Sequence, residues 1–305
     1  MSREELVRKT IEALRKSGFT VSHFPNSNTC FDIIAKSVQG ILVVKVYENV
    51  DSMRRELAEE LKKLGAVLNA GTIIVGEKTK VFRLEDGVVY YRYEVPVTTL
   101  KTFEGILEEK TPLVRHFKGR NIVDIDSEKL RELRGEMGVS LEELAGRIGV
   151  ATETLYRFEK GASTSLETAR RLEEELKKSL VKEVRIFERK PEKIVIDESP
   201  DEEVLGKLHD LGLKMAVFSH TPFRAFGKAD EGMFISTGKG KFDIPKKALE
   251  LKKTSAVIGS DSLIITKEYK YKSEGGVPVV NEGELETMSR FKELKKLLRE
   301  REGEK

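Results

Sequence analysis

Tryptophan is absent from the chain, cysteine occurs once, at Cys30, and glutamine once, at Gln39. A lone cysteine excludes an internal disulfide and a cysteine-rich zinc site. The four histidines, His23, His116, His209 and His220, are scattered and show no metal-ligand spacing. Neither a metal nor any other cofactor is expected. No apolar run reaches membrane-spanning length, and the N-terminal segment reads as an amphipathic helix rather than a signal peptide. A cytoplasmic protein with no membrane partner is expected. Charge of one sign is not in excess either, since 55 Lys and Arg against 52 Asp and Glu leave only +3. A phosphate-binding glycine loop is missing. Gly238-Lys239-Gly240-Lys241 is too short, lacks a following Ser or Thr, and reads as a turn.

What the chain has in plenty is charge of both signs, 35% of its 305 residues. Dense Glu, Lys and Arg with few labile amides is a thermophile pattern, because ion-pair networks cost less to desolvate when hot. The length suits two or three domains. They are expected at residues 1–120, 121–180 and 181–305.

The most strongly patterned stretch runs from Leu130 to Leu176. Leu130, Leu133 and Met137 recur at helical spacing, and Gly138 stops the helix in a left-handed cap. Ser140 with Glu143 three residues on forms a capping box for a second helix. That helix buries Leu141 or Leu144, Ala145 and Ile148. Gly149 turns the chain into a third helix, which buries Leu155 and Phe158 and ends at Gly161. Ser165 caps a fourth, with Leu166, Ala169, Leu172 and Leu176 inward. Two helices joined by a short glycine turn are the helix-turn-helix pattern.

The stretch resembles the lambda repressor/Cro-like (XRE-type) DNA-binding domain. The resemblance rests on Ser140-x-Glu142-Glu143-Leu144-Ala145, the Ile148-Gly149-Val150 turn and the closing Phe158-Glu159-Lys160-Gly161. It implies that the third helix, near Ala151–Glu159, lies in the major groove. Thr152, Glu153 and Arg157 would then face base edges, with Tyr156 and Lys160 flanking them. Arginine can bond two guanine acceptors at once, and glutamate can accept from cytosine. Leu141 stands where the family usually places a phosphate-contacting glutamine. Ser127 to Leu180 holds ten Lys and Arg against eleven Asp and Glu, so this segment has no basic excess.

Ahead of it, Leu6, Ile11 and Leu14 mark a helix ended by Gly18. Phe19–Phe24, Phe31–Ala35 and Ile41–Val46 read as strands, Met53–Leu64 as a helix and Thr72–Val75 as a buried strand. Val81–Leu84 and Val88–Tyr93 read as a hairpin about Asp86-Gly87. This α/β order resembles the restriction-endonuclease-like fold, closest to the archaeal Holliday-junction resolvases. Gly18-Phe19-x-Val21, Phe31-Asp32-Ile33-Ile34-Ala35 and Gly40-Ile41-Leu42-Val43-Val44-Lys45 carry it. In such nucleases an Asp and a Glu-x-Lys hold Mg²⁺, which needs at least two carboxylates beside an anionic phosphate. Asp32 and Lys45 match those positions, but Val43 stands where the glutamate belongs. Catalysis is therefore not expected. Asp32 and Lys45 are vestigial positions, Lys45 being read as a strand-end lysine paired with Asp32. The domain would serve nucleic-acid binding or dimerisation, and it holds twenty Lys and Arg against sixteen Asp and Glu.

Lys110–Asp126 reads as a linker whose basic run, Arg115, His116, Lys118 and Arg120, lies along phosphates or in a minor groove, or stays solvated. In the last third, Val184–Phe187, Lys193–Ile196, Lys214–Phe218, Met233–Ser236 and Ser262–Thr266 read as strands. Asp201–Leu211, Lys246–Lys253 and Glu284–Arg301 read as helices. The order repeats that of the first domain. Leu61-Lys62-Lys63, Ala66-Val67 and Ile74 match Leu251-Lys252-Lys253, Ala256-Val257 and Ile264 at one offset. Leu14, Gly18 and Phe24 match Leu208, Gly212 and Phe218 at a slightly different one. A second, degenerate copy of the nuclease-like α/β fold is expected.

The whole arrangement resembles a family of archaeal XRE-type transcriptional regulators with the helix-turn-helix in mid-chain. It implies a sequence-specific regulator that binds double-stranded DNA as a homodimer and has no catalysis of its own. Two alternatives stand beside it: a nuclease-like DNA-processing protein with a remodelled site, and a module that docks on the transcription machinery.

Overall fold

The computed structural model describes residues 1–25, 28–187, 202–229, 231–238 and 242–302. The chain opens with helix α1 (Arg3–Lys16), acidic in its first turn and basic in its last, which suits the helix dipole. Strands β1 (Thr20–His23), β2 (Ile33–Ser37) and β3 (Gly40–Asn49) follow, then α2 (Arg55–Val67) and β4 (Ala70–Lys78). The α2–β4 corner is tight, since a Cβ on Gly65 would lie 2.4 Å from the Thr72 methyl. Next come β5 (Val88–Arg92), β6 (Val95–Thr98), α3 (Leu100–Leu107), β7 (Val114–Phe117) and β8 (Arg120–Val123). Four helices succeed them: α4 (Ser127–Glu136), α5 (Leu141–Ile148), α6 (Thr152–Glu159) and α7 (Leu166–Leu176). The last third holds α8 (Glu203–Asp210), β9 (Lys214–Val217), β10 (Ala225–Lys228), β11 (Gly232–Gly238), α9 (Ile244–Ile258), β12 (Asp261–Thr266), β13 (Ser273–Glu274), β14 (Val277–Asn281), α10 (Glu282–Glu286) and α11 (Phe291–Glu302).

Eight strands pair in the order β1-β2-β3-β4-β6-β5-β7-β8, and six in the order β13-β14-β12-β11-β10-β9. The second order, read backwards, matches the first six strands of the first. The pairing senses agree as well. β1–β2 and β2–β3 are antiparallel, as are β9–β10 and β10–β11. β4–β6 and β12–β14 are parallel, and β5–β6 and β13–β14 antiparallel. Val95-Pro96-Val97 in β6 and Val277-Pro278-Val279 in β14 each lead straight into a helix.

Two compact units form, and neither follows sequence order. One takes in Met1–Leu6, Tyr47–Ser52 and Ile74–Glu188, the other Val7–Val46, Met53–Ile73 and Arg189–Lys305. In the first, β8 and the segment after it join the helical core: Val123 and Ile125 pack with Leu130, Leu144, Leu155, Phe158 and Leu172. In the second, Leu205, Leu208 and Met215 pack with Ile235, Leu263 and Leu294.

Several local expectations are corrected. Val81–Leu84 forms no strand; β5 turns instead at Tyr93-Glu94, both at positive φ, and pairs with β6. Asp86-Gly87 is a turn held by α3, Thr99 donating to Asp86 and Gly87 N–H donating to Thr102. The expected linker is a folded hairpin, β7–β8, closed by Lys118-Gly119 at φ 49° and 79°. Val184–Phe187 is not a strand, and Lys193–Ile196 lies outside the described residues. Glu284–Arg301 is not one helix but two, α10 and α11. Met137 is exposed at the C-cap of α4 instead of buried. Strands β6, β10, β13 and β14 have no counterpart among the sequence expectations.

Candidate nucleic-acid interface

The sequence cues for the helix-turn-helix translate directly into local geometry. Ser140 and Glu143 close a reciprocal capping box at the start of α5. Gly138, Gly149 and Gly161 sit at φ 65°, 72° and 95°, conformations that cost other residues a Cβ clash. Of the expected apolar positions, Leu144 rather than Leu141 is fully buried in α5. Leu141 is half-buried against the core.

On α6 the apolar and polar positions separate cleanly. Leu155 and Phe158 point into the core, whereas Thr152, Glu153, Tyr156, Arg157 and Lys160 are all exposed. The Lys160 ammonium lies over the Tyr156 ring at 5.5 Å from its centroid. The five residues singled out from the sequence therefore share the solvent side of one short helix.

What fixes that helix was not legible beforehand. Arg134 of α4 grips Glu159 of α6 with two bonds, Nε at 2.6 Å and Nη2 at 3.1 Å, while Nη1 donates to the Val139 carbonyl. The Glu159 side chain is only 6% exposed. Arg171 of α7 donates to the Ile148 carbonyl at 3.0 Å, closing the end of α5 at the Gly149 turn. The loop after α6 is held too. Val123 and Thr164 exchange backbone bonds of 2.8 and 3.0 Å. Arg115 pairs with Asp124 at 2.7 and 2.8 Å and reaches Ser163 at 3.0 Å. That guanidinium, and then the Ser163 hydroxyl, hold the Asp124 carboxyl below its ordinary range against the cost of its burial. Arg115 is thus committed to structure and does not belong to a free basic arm.

The nuclease-like positions are brought together and sealed. Lys45 Nζ lies 3.1 Å from Asp32 Oδ1, with both side chains fully buried. It also donates to the Thr29 carbonyl at 2.7 Å, and Val46 N–H donates to Asp32 Oδ2 at 2.8 Å. Lys45 lies in mid-strand, not at a strand end. Both oxygens of Asp32 already accept bonds, and buried Val43 contributes none. Glu48, one carboxylate that could have replaced the missing ligand, is bound by Lys78 at 2.6 Å. Among the described residues no group of three or more His, Cys, Asp or Glu could hold a metal ion. The donor set does not fit Mg²⁺, which needs several hard oxygens. Burial pushes the neighbouring Cys30 thiol well up, which removes thiolate character as well.

The same local construction recurs in the second sheet. Thr29 Oγ1 donates to the Phe31 carbonyl, and Thr221 Oγ1 donates to that of Phe223. Phe24 meets Phe31 edge-on at 5.2 Å, and Phe218 meets Phe223 edge-on at 5.6 Å. Phe24 N–H bonds the Asp32 carbonyl, and Phe218 N–H bonds that of Arg224, each at 2.8 Å. Arg224 thus stands where the first sheet has Asp32. Thr29-x-Phe31 and Thr221-x-Phe223 were the sequence signal that could have aligned the two.

Residues 3–112 match the model of the PD-(D/E)XK superfamily domain, and residues 130–182 that of a helix-turn-helix. Relatives align over nearly the full length. A protein of Archaeoglobus fulgidus is 35% identical with 97% of each chain covered. One of Pyrococcus horikoshii is 34% identical with 98% of each covered. One of Methanocaldococcus jannaschii is 33% identical over 96% of this chain and 95% of its own. All three are named, provisionally, as HTH-type transcriptional regulatory proteins. With a nuclease-like domain in front of a repressor-type helix-turn-helix and relatives of this identity along its whole length, the chain belongs to the family of HTH-type transcriptional regulatory proteins.

Proposed function

We propose that the protein is a sequence-specific, DNA-binding transcriptional regulator that reads the major groove with α6. The observation that carries this is the helix itself. Five polar side chains stand free of the core on one side, while Arg134–Glu159, Arg171 and the β8 pairing hold the backbone behind them. Arg157 is assigned to guanine, Glu153 to a cytosine amine, Thr152 to a base edge or methyl, and Tyr156 and Lys160 to the flanking backbone. A helix of this length gives modest affinity alone, so a cytoplasmic homodimer reading two half-sites about one helical turn apart is the working form.

The nuclease-like domain is assigned a non-catalytic role. An Asp32 locked between Lys45 and Val46 N–H, with Val43 in place of a second carboxylate, supports this. The last third is assigned as a second copy of that fold. The matching strand order, the shared Val-Pro-Val strand and the paired Thr-x-Phe corners support it. So does the packing between them, which is reciprocal. Lys63 of α2 donates to the Val217 carbonyl, and Ser22 of β1 donates to that of Lys253, the position on α9 that answers to Lys63. Two surfaces that each contact the other's counterpart are what a two-fold arrangement requires.

Selection from random double-stranded DNA with the full-length chain at physiological salt tests the reading. An enriched, roughly palindromic motif is the expected outcome. Binding without enrichment would point to a structure-selective DNA binder. No binding at all would leave a module that docks on protein, such as the transcription machinery.

A further inference from the structure

The helix-turn-helix segment has no basic excess to offer a duplex, for Ser127–Leu180 carries ten cations and eleven anions. Most non-specific affinity for a duplex comes from neutralised phosphates. Further cations held at a fixed place relative to α6 would add to that affinity. The β7–β8 hairpin meets both conditions. Between Lys110 and Asp124 the chain holds Arg115, Lys118 and Arg120 and no acidic residue. Arg115 is spent on Asp124 and Ser163, which ties the hairpin base to the loop that leaves α6. The Val123–Thr164 pairing fixes the same junction, and Val123 is part of the helical core. At its other edge the hairpin is braced by His116 stacked on Tyr90 at 5.0 Å and bonded to Asn121 at 2.8 Å. Hairpin and recognition helix therefore belong to one compact unit.

The tip is left bare. Phe117 is 50% exposed, and Lys118 and Arg120 are exposed. The Arg115 guanidinium and the Lys118 ammonium each lie 5.3 Å from the Phe117 ring centroid. Three residue steps along a strand put this tip about 10 Å from the Val123–Thr164 junction. An aromatic ring and two cations thus stand exposed at the end of a braced hairpin. We propose that the β7–β8 hairpin is a wing, a second DNA-contacting element whose tip, Phe117, Lys118 and Arg120, binds backbone phosphates of the same duplex beside the groove that α6 reads.

This rests on the DNA-binding reading above, and the test separates the two. Full-length wild type, the double variant Lys118→Ala/Arg120→Ala, the charge-keeping Lys118→Arg/Arg120→Lys and Arg157→Ala are titrated by fluorescence anisotropy against selected and scrambled duplexes over a series of salt concentrations. The alanine pair is expected to weaken both duplexes by a similar factor, on the order of tenfold, and to lower the slope of log affinity against log salt by about two. The charge-keeping pair is expected to behave as wild type. Arg157→Ala is expected to weaken only the selected duplex. Wild-type binding with an unchanged slope in the alanine pair would overturn the wing alone. A wild type with no salt-dependent binding to any duplex would overturn the wing together with the reading beneath it.

Discussion

Arg157 and Glu159 stand two positions apart on α6 and do opposite work. Arg157 faces solvent and is read as a base contact. Its replacement by alanine should cost about 1–3 kcal/mol on the preferred site and relax specificity at one base pair. Equal affinity of the wild type for preferred and random DNA would remove that assignment. Glu159 faces the core and holds Arg134. Glu159→Ala should leave the guanidinium without its carboxylate and cost about 2–3 kcal/mol of domain stability, since the pair is largely but not wholly buried. A melting temperature within error of wild type would refute it. The same logic is stronger at Asp32. Lys45 is wholly buried, so Asp32→Ala strands a charge and should cost about 3–5 kcal/mol. If Asp32→Ala instead abolished a Mg²⁺-dependent cleavage of junction DNA at unchanged stability, the vestigial reading would fail. Arg157 was legible from its place in a motif. Glu159 was not, because its partner lies 25 residues away and no local pattern records it.

At the scale of elements, the β7–β8 hairpin shows how acid should act on the domain. Asp124 has its pKa depressed by Arg115 first and Ser163 after. The folded value lies below the unfolded one, so the fastening is fully present above the ordinary carboxylate range and is lost as pH falls through the depressed value. Amide protection of Val123 and Thr164, corrected for intrinsic exchange, should hold down to about pH 4 and collapse below it. Protection that stays flat down to about pH 2 would show that the ion pair is not the fastener. Elements bounded by a glycine or an N-cap serine were readable, as α4–α7 demonstrate. Those turned by ordinary residues were not. Tyr93-Glu94 and Lys118-Gly119 lie in the left-handed region with only one glycine among them, so the sequence points to the wrong turn for one hairpin and the other reads as a linker. The break between α10 and α11 escaped for a similar reason. Thr287–Arg290 holds neither glycine nor proline to announce a stop, and Arg301 doubles back onto Glu284.

At the scale of the molecule, the proposed second nuclease-like copy bears on how the chain unfolds. Its contacts with the first come in pairs. α2 presents Glu60 and Lys63 to the end of β9: both oxygens of Glu60 accept backbone bonds of 2.7 Å, from Ser219 and His220. α9 presents the Lys253 and Ile258 carbonyls to Ser22 and Lys36. In the sequence the proposed duplication shows only as scattered identities, because what the two sheets share is strand order and corner geometry, with Arg224 standing where the first has Asp32. If the copies form one reciprocal interface, damage to either half must loosen both. Glu60→Ala removes two charge-assisted bonds from a mostly buried carboxylate and should cost about 2–3 kcal/mol. Lys36→Ala removes one and should cost about 1 kcal/mol. Each should lower the same calorimetric transition, by about 2–4 °C per kcal/mol, and the double variant should show roughly the sum, the two sites sharing no partner. Separate transitions, with Glu60→Ala shifting one and Lys36→Ala the other, would mean that the copies unfold independently and that the reciprocal contacts are incidental. A single transition moved by both makes the pair a fused dimer, whose two-fold interface is already satisfied within one chain. A homodimer on DNA would then have to form through another surface.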